Sequence, residues 1–260
     1  MAILNTNNLS VGYRQGKQTV ALLRNLNLQL EQGRLVALLG QNGAGKSTLL
    51  RALSCSTPPL EGQIFINGQD VKQLPQRQLS RLIGLVATDR IQAGALTVTE
   101  LVALGRQPHT GFLGRLSASD HELVAQAMAD AGIAHKADSY VAQLSDGERQ
   151  KVMIAKALAQ QTPIIMLDEP TAFLDVASRI ETMHLLRDLA HERDKAVLLS
   201  SHDVSQSLLL ADDVWLITNE RRVLAGRPRQ LIDDGAMNHV FSNPRITFSA
   251  DILDYQLAER

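Results

Sequence analysis

The nine residues Gly40-Gln41-Asn42-Gly43-Ala44-Gly45-Lys46-Ser47-Thr48 constrain the fold more than any other stretch of the chain. They match G-x-x-x-x-G-K-[ST], a loop that works only between a strand and a helix. Both neighbours are present. "RLVALLG" is a continuous apolar run of the kind found in a strand buried on both faces, and "KSTLLRALSC" follows helical spacing. Glycines let successive N–H groups curl around phosphate oxygens, and the helix start adds the positive end of its dipole. The pattern makes Gly40, Asn42, Gly43, Ala44, Gly45, Lys46, Ser47 and Thr48 a phosphate-binding loop. Lys46 is expected on the β- and γ-phosphates, and the Ser47 hydroxyl on Mg2+.

More buried strands follow. "RLIGLVA", "PIIMLDEP" and "KAVLLSSHD" are short apolar runs, the last two separated by the helical "VASRIETMHLLRDLAHER". Strands alternating with helices predict a mostly parallel sheet covered on both faces. The opening, "AILNTNNLSVGY" and "LLRNLNLQLEQG", reads as β-rich, and "EGQIFINGQDV" as a hairpin turning at Asn67-Gly68. "VWLITNERRVLAGRP" reads as another hairpin, before a partly helical tail. From Thr97 to Ala159 the strand signal disappears. "TVTELVALGR", "ASDHELVAQAMADAGI" and "DGERQKVMIAKALAQ" carry apolar residues three and four apart, with Ser119 or Asp120 as a cap for the second. This is a helical lobe inserted into an α/β core.

Composition excludes little but is consistent. With 26 Lys+Arg against 27 Asp+Glu, the chain offers no electrostatic footprint for nucleic acid. The single cysteine, Cys55, rules out an intrachain disulfide and fits a small core residue. No apolar run reaches the length of a membrane-spanning helix, and no signal peptide is expected at the opening.

Two strand tips carry further chemistry. "IIMLDEP" delivers Asp168 and Glu169 to the edge where ligands sit in such sheets. Asp168 is placed to hold magnesium, and Glu169 to polarise an attacking water. His202 ends "LLSSHD". A histidine there is often structural, but on a nucleotide-binding sheet a role at the γ-phosphate is preferred.

The order of these motifs resembles the nucleotide-binding subunit of an ABC transporter over nearly the whole chain. The resemblance implies a P-loop NTPase core with a mostly parallel sheet (residues 1–92 and 160–225), an N-terminal antiparallel β-subdomain, an inserted α-helical signature lobe (93–159) and a C-terminal tail (226–260), together one ATPase domain. It implies that Tyr13 stacks on adenine, the alternative being a buried strand tyrosine. "LSDGERQ" corresponds to the family signature usually written LSGGQ, "TAFLD" with Asp175 to the loop touching the opposing subunit, and His202 to the switch histidine. Two cassettes of the family pack head to tail, so Ser145 and the Gly147 backbone are expected on the γ-phosphate of a partner's ATP. The other reading of Ser145 is a helix cap without a ligand.

Two departures stand out. Asp146 and Glu148 replace a glycine and a glutamine of the signature, and are expected to face away from the triphosphate. After "IGLV" the family's magnesium-contacting glutamine is missing. Thr88 stands in its place as a metal ligand, with Asp89 beside it and Gln92 farther on. A lone cassette of this kind resembles the energy subunit of a bacterial importer, and "LTVTELVALGRQPHTGFLGRLSASD" resembles the ferric siderophore, haem and vitamin B12 group. That implies ATP and Mg2+ as ligands and a homodimer docked on transmembrane permease subunits at the cytoplasmic face of the inner membrane. It also implies an extracytoplasmic solute-binding protein and no nucleic acid partner. Residues 88 to 106 are expected to line the permease groove. A soluble non-transport ATPase of cluster assembly or repair is the alternative, and a regulatory cassette that does not hydrolyse ATP is a third reading.

Overall fold

A computed structural model describes residues 2–16, 18–87, 95–111, 114–240, 243 and 245–257. The chain opens with β1 (Ala2–Gln15), β2 (Gln18–Leu26) and β3 (Gln29–Glu31), then β4 (Leu35–Leu39), α1 (Lys46–Leu53), β5 (Glu61–Ile66) and β6 (Gln69–Asp70). Next come α2 (Gln76–Leu82), β7 (Ile83–Val86), α3 (Val98–Ala103), α4 (Ala118–Asp130) and α5 (Asp146–Ala159). β8 (Ile164–Leu167), α6 (Val176–His191), β9 (Ala196–Ser200), α7 (Val204–Leu210) and β10 (Asp213–Ile217) return to the sheet. β11 (Val223–Gly226), α8 (Pro228–Asp233), β12 (Ile246–Ser249) and β13 (Asp254–Leu257) complete the chain.

The central sheet runs β11-β10-β4-β9-β8-β7. Its five strands from β10 to β7 are parallel, and only β11 is antiparallel. β4, β8 and β9 are buried at every position, so both faces need cover, as the uninterrupted apolar runs demanded. An antiparallel sheet, β2-β1-β5-β6 with β3 paired to β1, lies over α1 and shares one apolar core with it. Its hairpin turns at Asn67 and Gly68, whose φ values of 50° and 77° are those of a type I′ turn. The opposite face of the parallel sheet is covered by α6, α7 and α8. α3, α4 and α5 enclose a separate core around Val98, Leu101, Val124 and Val152.

Two expectations need correction. The cap of α4 is Ser117, not Ser119 or Asp120: the Ser117 hydroxyl accepts from the Asp120 N–H while Asp120 reaches back to the Ser117 N–H. The S-x-x-D spacing is a capping box, which puts the acidic residue at the third helical position. The helix expected through "TVTELVALGR" stops at Ala103, and residues Leu104–His109 tighten into a 3-10 turn. There the buried Arg106 bonds Asp120, the Ala159 carbonyl and Gln161. The tail is partly helical, as expected, through α8. β12 and β13 form a hairpin whose Phe248 and Tyr255 rings meet edge to face.

Trp215, the only tryptophan, is 2% exposed in the core that joins the two sheets. Trp215→Ala is therefore expected to lower the unfolding free energy by about 3–5 kcal/mol. Urea unfolding followed by far-UV circular dichroism measures the loss.

Candidate functional site

The phosphate loop leaves β4 at Leu39 and enters α1 at Lys46. Gly45 begins the helix with φ 110°, a conformation that side-chain-bearing residues rarely adopt, which is why glycine stands there. No side chain caps α1 and no acidic residue sits in its first turn. Its leading N–H groups are thus left for an anion. Lys46 is 5% exposed and donates to the Gly40 and Gln41 carbonyls at 2.9 and 3.3 Å, closing the loop around its own ammonium. Burial pushes the Lys46 pKa below its ordinary value, while Glu169 and Asp168 pull it up.

The strand tips bring the carboxylates to this loop. Asp168 is 8% exposed, and its Oδ1 accepts from Ser47 Oγ at 3.0 Å and from Ser200 Oγ at 2.7 Å. Glu169 leaves the strand with φ 49°, and its carboxylate lies 3.9 Å from Lys46 Nζ and 3.8 Å from His202 Nδ1. Ser47, Lys46, Asp168, Glu169 and His202 therefore converge at the C-terminal edge of β4, β8 and β9. Ser47 and Asp168 supply hard oxygen donors 3.0 Å apart. One carboxylate and one hydroxyl suit Mg2+, which keeps its other positions for phosphate oxygens and water. Among the described residues no cluster of three or more His, Cys, Asp or Glu could hold a metal alone. Thr88, with Asp89 and Gln92, lies outside the described residues.

Tyr13 sits on β1 opposite Val20 and is 49% exposed, so it is not a buried strand tyrosine. Cys55 packs against the core under α1, and burial pushes its thiol up to about 11, which leaves it no nucleophilic role.

Ser145, Gly147 and Asp175 form a second group at the start of α5 and α6. Ser145 caps α5: its hydroxyl accepts from the Glu148 N–H at 3.2 Å and donates to Glu148 Oε2 at 3.0 Å. Glu148 also accepts from the Ser145 N–H and lies 3.1 Å from Lys136. Asp146 turns to Arg149, 2.9 Å away. A Cβ on Gly147 would lie 2.6 Å from Ser178 Oγ, so glycine here lets α5 and α6 approach. Asp175 caps α6 by accepting from the Ser178 N–H at 2.7 Å. Arg179, one turn on, pairs with Asp203 beside the histidine. Sequence reasoning missed Ser200, Lys136 and the Gln41 side chain, which donates to the Val240 carbonyl in the tail at 2.6 Å. Only Ser200 left a signal, as a polar residue in a fully buried strand.

Residues 23–172 match the family model for ABC transporters. The ferric enterobactin transport ATP-binding protein of Escherichia coli is 36% identical over 241 residues, 93% of this chain and 88% of that protein. Among solved structures, a chain of a metal-chelate type ABC transporter in an inward-facing conformation superposes with a TM-score of 0.81 at 28% identity, covering 98% and 96% of the two chains. A dimeric ATP-binding cassette in a post-hydrolysis state with ADP and phosphate gives 0.75 at 28% identity, over 87% and 99%.

The Ser145 N–H and the Lys136 ammonium pull Glu148 from its ordinary 4.5 down to about 2. A depressed carboxylate stabilises the fold above its unfolded pKa and loses that contribution as pH falls through the folded one. The native chain should therefore lose its stability advantage over Glu148→Gln between about pH 4.5 and 2 and keep it at pH 7. Paired thermal melts across that range measure it.

Proposed function

Because this chain belongs to the ABC transporter family, whose ATP-binding subunits hydrolyse ATP to drive transport, we propose that it powers bacterial uptake of a ferric siderophore, haem or vitamin B12-like cargo. The observation that carries the reading is the convergence of Lys46, Ser47, Asp168, Glu169 and His202 on the uncapped start of α1. Such an edge binds a triphosphate and can cleave its last bond. The cargo class rests on the ferric enterobactin relative and on the metal-chelate transporter structure. Both favour transport over a soluble cluster-assembly or repair ATPase.

In this mechanism the adenine lies against Tyr13, and the loop from Gly40 to Thr48 wraps the phosphates. Lys46 neutralises the β- and γ-phosphates. Ser47 and Asp168 would hold Mg2+, with Thr88, outside the described residues, as the further ligand expected from the sequence, and the ion would supply positive charge to the triphosphate. A Glu169 carboxylate oxygen takes a proton from the attacking water, and His202 donates to the γ-phosphate as it departs. ADP and phosphate are the products. Ser145 and the Gly147 N–H face the γ-phosphate of ATP held by a second copy, and Asp175 meets that copy's own loop. Ser145 has one hydroxyl proton, which Glu148 now accepts, so meeting a phosphate requires Glu148 to release it. Asp146 and Glu148 then stay turned toward Arg149 and Lys136, away from the triphosphate.

Among the described residues no helix is long and apolar enough to cross a membrane. The cassette pair would sit peripherally on the cytoplasmic face of the inner membrane. It would be docked on permease subunits through the segment from 88 to 106, of which 88 to 94 lie outside the described residues, with a solute-binding protein delivering cargo outside.

Glu169→Gln removes the base but keeps the shape. It should slow hydrolysis by about 100-fold or more and accumulate an ATP-bound dimer on size exclusion; turnover at the native rate would refute the assignment. A strain lacking this chain should lose uptake of one labelled cargo among ferric siderophore, haem and cobalamin. Unchanged uptake of all three would reject the cargo class.

A further inference from the structure

We propose that Ser200 is a positioning residue for hydrolysis: its hydroxyl locks Asp168 and Glu169 in the geometry the reaction needs. The inference rests on the reading of Asp168 as metal ligand and Glu169 as base.

Ser200 is the last residue of β9, 0% exposed, in a strand whose other residues are all apolar. A buried hydroxyl must find partners or destabilise the strand. Ser200 finds two, both on the neighbouring strand tip. It donates to Asp168 Oδ1 at 2.7 Å and accepts from the Glu169 N–H at 2.9 Å. Its donor is used once, and its acceptor takes the Glu169 N–H, the second past the end of β8; the first, that of Asp168, goes to the Val86 carbonyl.

The register explains the placement. Leu199 pairs with Leu167 across the parallel ladder, so Ser200, the last residue of β9 and still paired with Leu38 of β4, comes beside Asp168, the first residue past β8. There the chain turns sharply at Glu169, with φ 49°, a left-handed backbone unusual for a residue with a side chain. The bond from the Glu169 N–H to Ser200 holds that turn, and the turn decides where the Glu169 carboxylate hangs, between Lys46 and His202. His202 follows Ser200 by two residues. One hydroxyl therefore ties together the tips that carry all three groups.

Asp168 Oδ1 also accepts from Ser47 at 3.0 Å. Ser47 belongs to the phosphate loop, whereas the Ser200 hydroxyl bonds Asp168 and Glu169 at the tip of β8. Its duty is to orient the carboxylate. Alanine here would remove the shorter of the two serine hydrogen bonds to Asp168 Oδ1 and the Ser200 acceptor of the Glu169 amide.

The test compares Ser200→Ala, Ser200→Cys and Ser200→Thr with the native full-length chain. Cysteine keeps the size but donates and accepts weakly; threonine keeps the hydroxyl. Losing an outer partner of a metal-binding carboxylate should lower kcat by about 10- to 100-fold. Ala and Cys should show this and should need more Mg2+ for half-maximal binding of a non-hydrolysable ATP analogue, while binding without Mg2+ stays native. Hydrogen exchange at the Glu169 amide should quicken in the nucleotide-free protein. Thr should restore all three. If Ala and Cys keep native turnover and native exchange, the inference fails. It also fails if activity falls only in step with the melting temperature and with Mg2+-free binding, because that is a structural role. If the native chain binds ATP but never hydrolyses it, alone or with its permease, the wider reading of the site fails first, and this inference with it.

Discussion

The charge balance around Lys46 is the constraint on which the rest depends. An ammonium that is 5% exposed is costly in a protein interior unless acceptors and negative charge surround it. The loop supplies two carbonyls, and the tips of β8 supply Asp168 and Glu169. The two carboxylates cannot be provided locally, because they lie more than a hundred residues downstream. Only a parallel sheet that brings β4, β8 and β9 to one edge can assemble them. The buried strands, the helices that cover them and the long crossovers between them all follow from that requirement.

The two helix starts meet their unsatisfied N–H groups in opposite ways. α1 has neither cap nor first-turn acid, so an anion must come from outside. α5 has Ser145 and Glu148 in a closed capping box, and Glu148 is itself held by Lys136. A glutamine at position 148 would close the same box without charge. The carboxylate adds a negative charge where the helix dipole favours one, and Lys136 balances it. The charge that Glu148 brings to this helix start is therefore balanced by a lysine of the same lobe, which the signature stretch alone does not contain.

Strong local periodicity and strong local chemistry were legible in the sequence. The phosphate loop, the apolar strands and the hairpin at Asn67-Gly68 carry their instructions within a few residues. What was illegible depends on contacts between distant segments. Ser200 looks like a polar lapse in an apolar run until β8 is placed beside it. Lys136 reads as one surface cation among many until Glu148 is found 3.1 Å away. The β12–β13 hairpin is short and partly exposed, with weak alternation, and takes its form from Tyr255, whose hydroxyl reaches the Met237 carbonyl. The cap of α4 was legible but misread: Ser119 or Asp120 was expected there, whereas the S-x-x-D pattern makes Ser117 the cap and Asp120 its reciprocal partner.

The helix α5 belongs to two cores at once. Ile154 and Ala157 are buried with the parallel sheet, while Val152, Ala155 and Ala159 are buried with α3 and α4. Residues three and four apart lie on one face of a helix and those one apart do not, so α5 is clamped from two directions. Its 14 residues make a rod about 21 Å long. At one end is Ser145. At the other, the side chain of Gln160, the residue that ends the helix, donates to the Ser80 and Ile83 carbonyls at 2.5 and 3.1 Å, at the junction of α2 and β7. Arg77 and Arg81 bind the Pro108 carbonyl beside it. These links run to backbone carbonyls, each worth only about 0.5–1.5 kcal/mol net, whereas the packing along the rod is far costlier to break. One helix packed on both sides therefore joins the Ser145 turn to the α2–β7 junction.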